Sequence, residues 1–172
     1  MKKYLIYSII AIVAISLYSC SESSEKYNVR AFNVADSIIM YSEKNFEFVS
    51  ACQSMWRSVV FDSEYINPIT DETSYCYDFN EGIARYCDDL SPLVKEFKKE
   101  KKRIDDLYGT VKEAPEDSKG NLEMIKELVT IYSQSYDMMT NPSGSLNTYT
   151  ANYNDLYQKF ELIKTKIEIE KK

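Results

Sequence analysis

The C-terminal stretch Ser145–Glu170, SLNTYTANYNDLYQKFELIKTKIEIE, decides the fold class. Its apolar residues recur at alternating steps of three and four, the spacing of a helix that packs one face against its neighbours. The members of this apolar stripe are Leu146, Tyr149, Tyr153, Leu156, Phe160, Ile163 and Ile167. The pattern predicts one long helix with a single buried face.

Three earlier segments show the same periodicity, and helix-ending residues separate them. The breaks are Asn67-Pro68, Ala114-Pro115 and Asn141–Gly144, each typical of a turn between helices. The sequence therefore predicts an all-α protein, an antiparallel four-helix bundle with a long first hairpin, which follows a cleaved N-terminal signal helix. The predicted helices span roughly residues 29–64, 71–112, 121–140 and 145–170.

Capping residues refine these boundaries. Thr70, which two acidic residues follow, is the predicted N-cap of the second helix, and Ser145 is that of the fourth. Pro92 lies inside the second segment, where it removes a backbone hydrogen bond. Because the apolar stripe continues in phase on both sides, we expect a kink or a brief break at Pro92.

The first 19 residues have the composition of a secretory signal. Lys2 and Lys3 precede an apolar run, Tyr4–Tyr18, in which only two serines interrupt the apolar residues. A helix of about 15 residues rises only ~22 Å, short of the ~30 Å hydrocarbon core of a bilayer. The segment is therefore predicted to be a signal peptide and not a membrane span.

The residues around Cys20 resemble the lipobox of bacterial lipoproteins, with Leu17 and Ser19 before the cysteine. The resemblance implies cleavage before Cys20, acylation of that residue, and attachment to a membrane of the cell envelope. Ser21 is unlike the aspartate that retains some lipoproteins in the inner membrane, which favours the outer membrane. Glu22 and Glu25 are similar to the acidic tethers of some surface lipoproteins, so surface exposure is a further expectation.

Three regions follow from these assignments. Residues 1–19 are the predicted signal peptide, residues 20–27 the lipidated cysteine with a polar tether, and residues 28–172 the helical domain. Loss of residues 1–19 removes two lysines and changes the net charge from −6 to −8. An acidic chain argues against a nucleic-acid partner, because phosphate binding requires clustered lysine and arginine.

The chain holds no histidine, which rules out Ser-His-Asp and Cys-His catalysis and histidine-containing zinc sites. No Gly-rich phosphate-binding motif occurs either. The adjacent acids Asp88-Asp89 point about 100° apart on a helix, so we interpret them as solvated surface. We predict no cofactor, no metal site and no catalytic residue.

A long first hairpin would extend beyond the second and expose its apolar tip. The residues of this tip are Trp56, Val60, Phe61, Tyr65, Ile66, Ile69, Tyr75 and Tyr77. Trp56, Phe61 and Tyr65 are the predicted interaction surface for a protein partner. The alternative is that the chain breaks at Pro92 and the tip folds back into the core.

The sequence also predicts a cysteine pair and a modification site. Cys52 and Cys87 lie at similar distances from the first turn, so they are either a disulfide or free thiols that pack as small apolar groups. Asp36-Ser37-Ile38 resembles the O-glycosylation triplet of some exported bacterial proteins, which implies a sugar on Ser37.

These observations predict a lipid-anchored, non-enzymatic binding or scaffolding module of the cell envelope. Three alternatives stay open: an immunity or inhibitor lipoprotein that uses its acidic surface against a toxin or hydrolase, a structural spacer without a ligand, and an enzyme with a site built from Tyr, Lys and carboxylates.

Overall fold

A computed structural model describes residues 23–172. Its elements are α1 (Ser24–Asp62), β1 (Glu64–Ile66), β2 (Thr73–Tyr75), α2 (Phe79–Gly109), a 3-10 helix (Glu116–Ser118), α3 (Lys119–Thr140) and α4 (Leu146–Glu170). The predicted all-α fold with four helices is confirmed, with the addition of one small two-stranded sheet. The predicted signal peptide and Cys20 lie outside the described residues.

Consecutive helices are antiparallel, and α1 packs against the other three. Lys44 of α1 pairs with Glu100 of α2 at 2.7 Å, and Glu43 pairs with Lys164 of α4 at 2.6 Å. The parallel helices α1 and α3 share the largest interface, and α2 and α4 lie on either side of this central pair.

A buried asparagine lies in the interface between α1 and α3. Asn45 donates to Ser135 Oγ at 3.1 Å, and Ser135 in turn donates to the carbonyl of Tyr132 at 2.9 Å. Because a polar group without a partner is costly in a core, this pairing favours one alignment of the two helices.

The apolar core has two parts. One part lies toward the start of α1 and contains Tyr27, Ile38, Phe46, Leu128, Phe160 and Ile163. The other lies toward the hairpin and contains Cys52, Met55, Trp56, Tyr86, Phe97 and Tyr149. Each fully buried large side chain contributes about 1.5–3 kcal/mol of hydrophobic free energy.

The bundle begins earlier than the sequence predicts. Ser23 caps α1, which starts at Ser24, and Tyr27 is fully buried with its hydroxyl donated to the carbonyl of Val111 at 2.8 Å. Residues 24–27, assigned to the tether from the sequence, therefore belong to the folded domain. Burial of the Tyr27 ring in the core holds these residues in the helix.

Of the predicted kink or brief break at Pro92, the break is wrong, since α2 continues through this residue. Proline has no N–H, so Pro92 cannot donate the helical hydrogen bond to the carbonyl of Asp88, four residues earlier. Both residues are exposed. Water can satisfy that carbonyl, so the helix tolerates the proline.

The connection between α1 and α2 also differs from the prediction. α1 ends where Ser63 adopts a left-handed conformation with φ 57°, and its N–H bonds to the carbonyl of Ser58. The next residues form the antiparallel hairpin β1–β2, in which Glu64 pairs with Tyr75 and Tyr65 with Ser74.

The N-cap of α2 is Asp78 and not Thr70. The Asp78 side chain accepts from the Glu81 N–H at 3.0 Å, whereas Thr70 lies in the hairpin loop. Asn67 builds that loop, because its side-chain oxygen accepts from the N–H groups of Ile69 and Thr70 at 2.8 and 3.0 Å.

Candidate interaction surface at the hairpin end

The hairpin has one buried face and one exposed face, because successive side chains of a strand point to opposite sides. Tyr65 is only 3% exposed and Cys76 is fully buried. Glu64 and Tyr75, which pair across the two strands, are both exposed. The hairpin therefore presents an acidic and aromatic outer face.

Polar contacts hold the buried face of the hairpin against α2. Asp89 Oδ2 accepts the Tyr65 hydroxyl at 2.5 Å and the Asn67 amide at 2.8 Å. Burial, together with the adjacent Asp89, raises the pKa of the Tyr65 hydroxyl well above its usual range. Asp89 is thus a structural residue and not the solvated acid predicted from the sequence.

Arg85 makes a second link between α2 and the hairpin. Its guanidinium donates to Ser74 Oγ and to the Tyr75 carbonyl at 3.0 Å each, and to Glu81 Oε1 at 2.6 Å. Glu81 also accepts the Tyr77 N–H at 2.7 Å, and this hydrogen bond is the main cause that lowers the pKa of its carboxyl. The hairpin is therefore fixed to α2 along its inner face.

Several large apolar side chains remain exposed at this end of the bundle, and we call them the hairpin-end surface. They are Val60, Phe61, Ile69, Tyr75 and Tyr77. Phe61 is 71% exposed, and the rings of Tyr75 and Tyr77 meet edge to face at 5.0 Å. Contiguous exposed apolar patches often mark interaction sites, whereas single exposed apolar residues are normal.

Part of this surface borders an open groove of about 370 Å³ between α1 and the start of α4. Val60, Phe61 and Phe79 line one side, and Leu146 lines the other. Trp56 also lines it, but only 1% of this residue is exposed.

Of the three predicted interaction residues, only Phe61 is exposed. Trp56 stacks on Phe79 with ring centroids 4.6 Å apart and contacts Tyr149 of α4 at 4.9 Å. Tyr65 is held by Asp89. The prediction was wrong for Trp56 and Tyr65 because contacts with α2 and α4, remote in sequence, bury them.

The three cysteines among the described residues are free thiols. Cys52 and Cys76 are buried, whereas Cys87 is exposed, although the sequence pattern placed it on the apolar stripe. Burial raises the pKa of the Cys52 thiol to about 12, against the opposing effect of hydrogen bonds with Tyr149 and Tyr86. The alternative disulfide between Cys52 and Cys87 is not formed.

Ser37 lies in the middle of α1 and is half-buried. Its hydroxyl donates to the carbonyl of Asn33 at 3.2 Å, and the next residue, Ile38, is fully buried. The acceptor triplet is therefore part of a packed helix.

A polar depression lies between the hairpin and α2, lined by Tyr65, Asn67, Glu72, Thr73, Ser74, Arg85, Asp88 and Asp89. Tyr65, Asn67, Arg85 and Asp89 are engaged in the hydrogen bonds that hold the hairpin. Among residues 23–172, no group of three or more acidic or cysteine side chains is arranged to hold a metal ion. No helix within the same range has the length and apolar character needed to cross a membrane.

No protein-family model, curated protein or solved structure matches the chain.

Proposed function

We propose that this protein is a lipid-anchored module of the bacterial cell envelope that binds a protein partner through the hairpin-end surface and carries out no reaction. Cys20 carries the lipid, and the outer membrane is the proposed location. The observation that carries the proposal is the group of exposed aromatic and aliphatic residues around the hairpin.

The positions of the two ends support this arrangement. α1 begins four residues after Cys20, so a lipid on Cys20 holds the first turn of α1 close to the membrane. The hairpin follows the other end of the same helix. The exposed aromatic residues therefore face away from the proposed anchor.

The hydrogen bonds of the polar residues between the hairpin and α2 support a binding role over catalysis. Tyr65, Asn67 and Asp89 bond to one another, and Arg85 bonds to the hairpin. Groups engaged in this way stabilise the fold and are poorly suited to act on a substrate.

Site-specific photocrosslinking in cells that make the full chain tests the proposal. Tyr75 and Ile169 are each 62% exposed and lie at opposite ends of the bundle. We would replace each in turn with benzoylphenylalanine and irradiate. We expect a discrete protein adduct from position 75 and none from position 169.

Phe61→Ser and Tyr77→Ser should weaken the adduct from position 75, while Leu162→Ser, an exposed residue of α4, should leave it unchanged. No adduct from position 75 would contradict the proposal and favour a structural spacer. Equal adducts from positions 75 and 169 would also contradict it.

Intact mass spectrometry tests the anchor separately. We expect a mature chain that begins at an acylated Cys20, and the precursor should accumulate under globomycin or in the Cys20→Ala variant. An unmodified Cys20 with residues 1–19 retained would contradict lipid anchoring. A Ser37→Ala control in the same experiment would reveal a sugar on Ser37 as a mass difference.

A further inference from the structure

We infer that the hairpin-end surface binds a protein whose apolar contact site is surrounded by lysine or arginine side chains. This inference rests on the function proposed above, since it names the chemistry of the partner for the same surface.

Acidic residues are frequent in the segment that carries the exposed aromatic side chains. Residues 56–85 contain six carboxylates and two arginines, a net charge of −4 in 30 residues. Asp62 follows Phe61 directly, and Glu64 is the cross-strand partner of Tyr75. Apolar and negative side chains are thus both exposed at this end of the bundle.

These carboxylates are available to a partner. Asp62, Glu64 and Asp71 are exposed, and none of them forms an ion pair within the part of the chain that the structure describes. Arg85 is already bonded to Glu81 and the hairpin. The local negative charge therefore remains largely unbalanced.

The pairing of Tyr75 with Glu64 suits a guanidinium or ammonium group. An aromatic ring attracts a cation over its face, and a neighbouring carboxylate accepts its hydrogen bonds. Phe61, Val60 and the groove beside them would take an apolar side chain of the same partner.

Other occupants fit less well. The phosphates of an anionic membrane and of nucleic acid would be repelled by the carboxylates. In a symmetric dimer through this surface, the same carboxylates would face each other across the two-fold axis. A protein surface with basic side chains around an apolar site complements both the negative charge and the exposed apolar side chains of the hairpin-end surface.

The test uses the protein captured by the position-75 crosslink, once it has been identified and purified. Its affinity for the full chain would be measured by calorimetry at low and high salt. The charge variant is Asp62→Asn/Glu64→Gln/Asp71→Asn. The matched control, Asp106→Asn/Asp117→Asn/Glu170→Gln, removes the same number of exposed acids from other parts of the bundle.

We expect the charge variant to raise Kd by about tenfold or more at ~50 mM salt and by less than about threefold at ~500 mM, because salt screens exposed charges. The control variant should stay within about twofold of wild type, since its changes lie outside the contact.

If Phe61→Ser and Tyr77→Ser weaken binding but the charge variant and salt do not, the inference is wrong while the proposed function stands. If the adduct contains lipid or a second copy of the chain, the inference is likewise wrong. If none of the hairpin-end variants changes Kd, both fail.

Discussion

The Tyr65 hydroxyl donates a 2.5 Å hydrogen bond to Oδ2 of Asp89, which ties the first strand of the hairpin to the second helix. The bond joins residues 24 positions apart in sequence, and it holds Tyr65 on the buried face of the hairpin. The Tyr65 ring is buried, whereas Tyr75, on the other face of the hairpin, is exposed.

Tyr65→Phe should lower the free energy of unfolding by about 1–3 kcal/mol, because it removes a hydrogen bond to a charged group. Urea denaturation would measure the change, with the fluorescence of Trp56 as signal, since the chain has a single tryptophan. Tyr75→Phe, on the exposed face, is the control and should match wild type. Equal losses in the two variants would contradict the assigned role of Tyr65.

Gly82→Ala should destabilise the protein by about 1–3 kcal/mol despite the better helix propensity of alanine. A Cβ at position 82 would lie 2.8 Å from Cγ2 of Val59, so the buried Val59 side chain or the two helices would have to shift. At Gly120 the same atom would have no neighbour within 4 Å. Gly120→Ala should therefore be neutral or slightly stabilising in thermal denaturation, and a loss there as large as at Gly82 would disprove the steric explanation.

Stability should decrease at alkaline pH. Burial raises the pKa of the Cys52 thiol from 9.0 to about 12, so between these values the unfolded chain releases a proton that the folded chain retains. The free energy of unfolding should therefore fall above about pH 9, by up to ~1.4 kcal/mol per pH unit for this thiol. The buried hydroxyls of Tyr86 and Tyr149, whose pKa values are also raised, should add to the fall at higher pH.

Denaturation curves at a series of pH values would test this expectation. Cys52→Ala should show a shallower fall between about pH 9 and 10, because it removes one of the thiols with a raised pKa, whereas Cys76 and Cys87, whose pKa values are also raised, still contribute. Identical slopes for the two proteins would show that Cys52 does not titrate in this way.

Thiol alkylation of the native protein should reach Cys87 first. Cys87 is exposed, although partial burial and the neighbouring Asp88 raise its pKa and slow its reaction relative to a free cysteine. Cys52 and Cys76 should react only when the chain opens. Peptide mapping after iodoacetamide treatment would give the order, and protection of both Cys52 and Cys87 until reduction would reveal a disulfide instead.

The helices could be predicted because their pattern is local. Phe160 and Ile163 fall on the predicted stripe of the last helix, and both are fully buried. The spacing of such residues is fixed by helix geometry, so the buried face follows without knowledge of the partner helix.

The hairpin was missed because its strands are three residues long, too short for a clear alternation. One signal could have placed the start of α2: Asp78 and Glu81 have the spacing of a capping box, and Asp78 caps the helix. The burial of Trp56 and Tyr65 could not be predicted in the same way, because it depends on Tyr149 and Asp89, residues of other helices.

The unbroken length of α1 has a mechanical consequence. Its 39 residues form one continuous helix that rises about 58 Å. The distance between Ser24 and the hairpin is therefore set by this helix and not by a flexible linker. A partner that contacts both ends must itself extend over that distance. Adding or removing one residue within α1 would shift the hairpin by about 1.5 Å and turn it by about 100° relative to the buried face, so the packing against the other three helices opposes such a change.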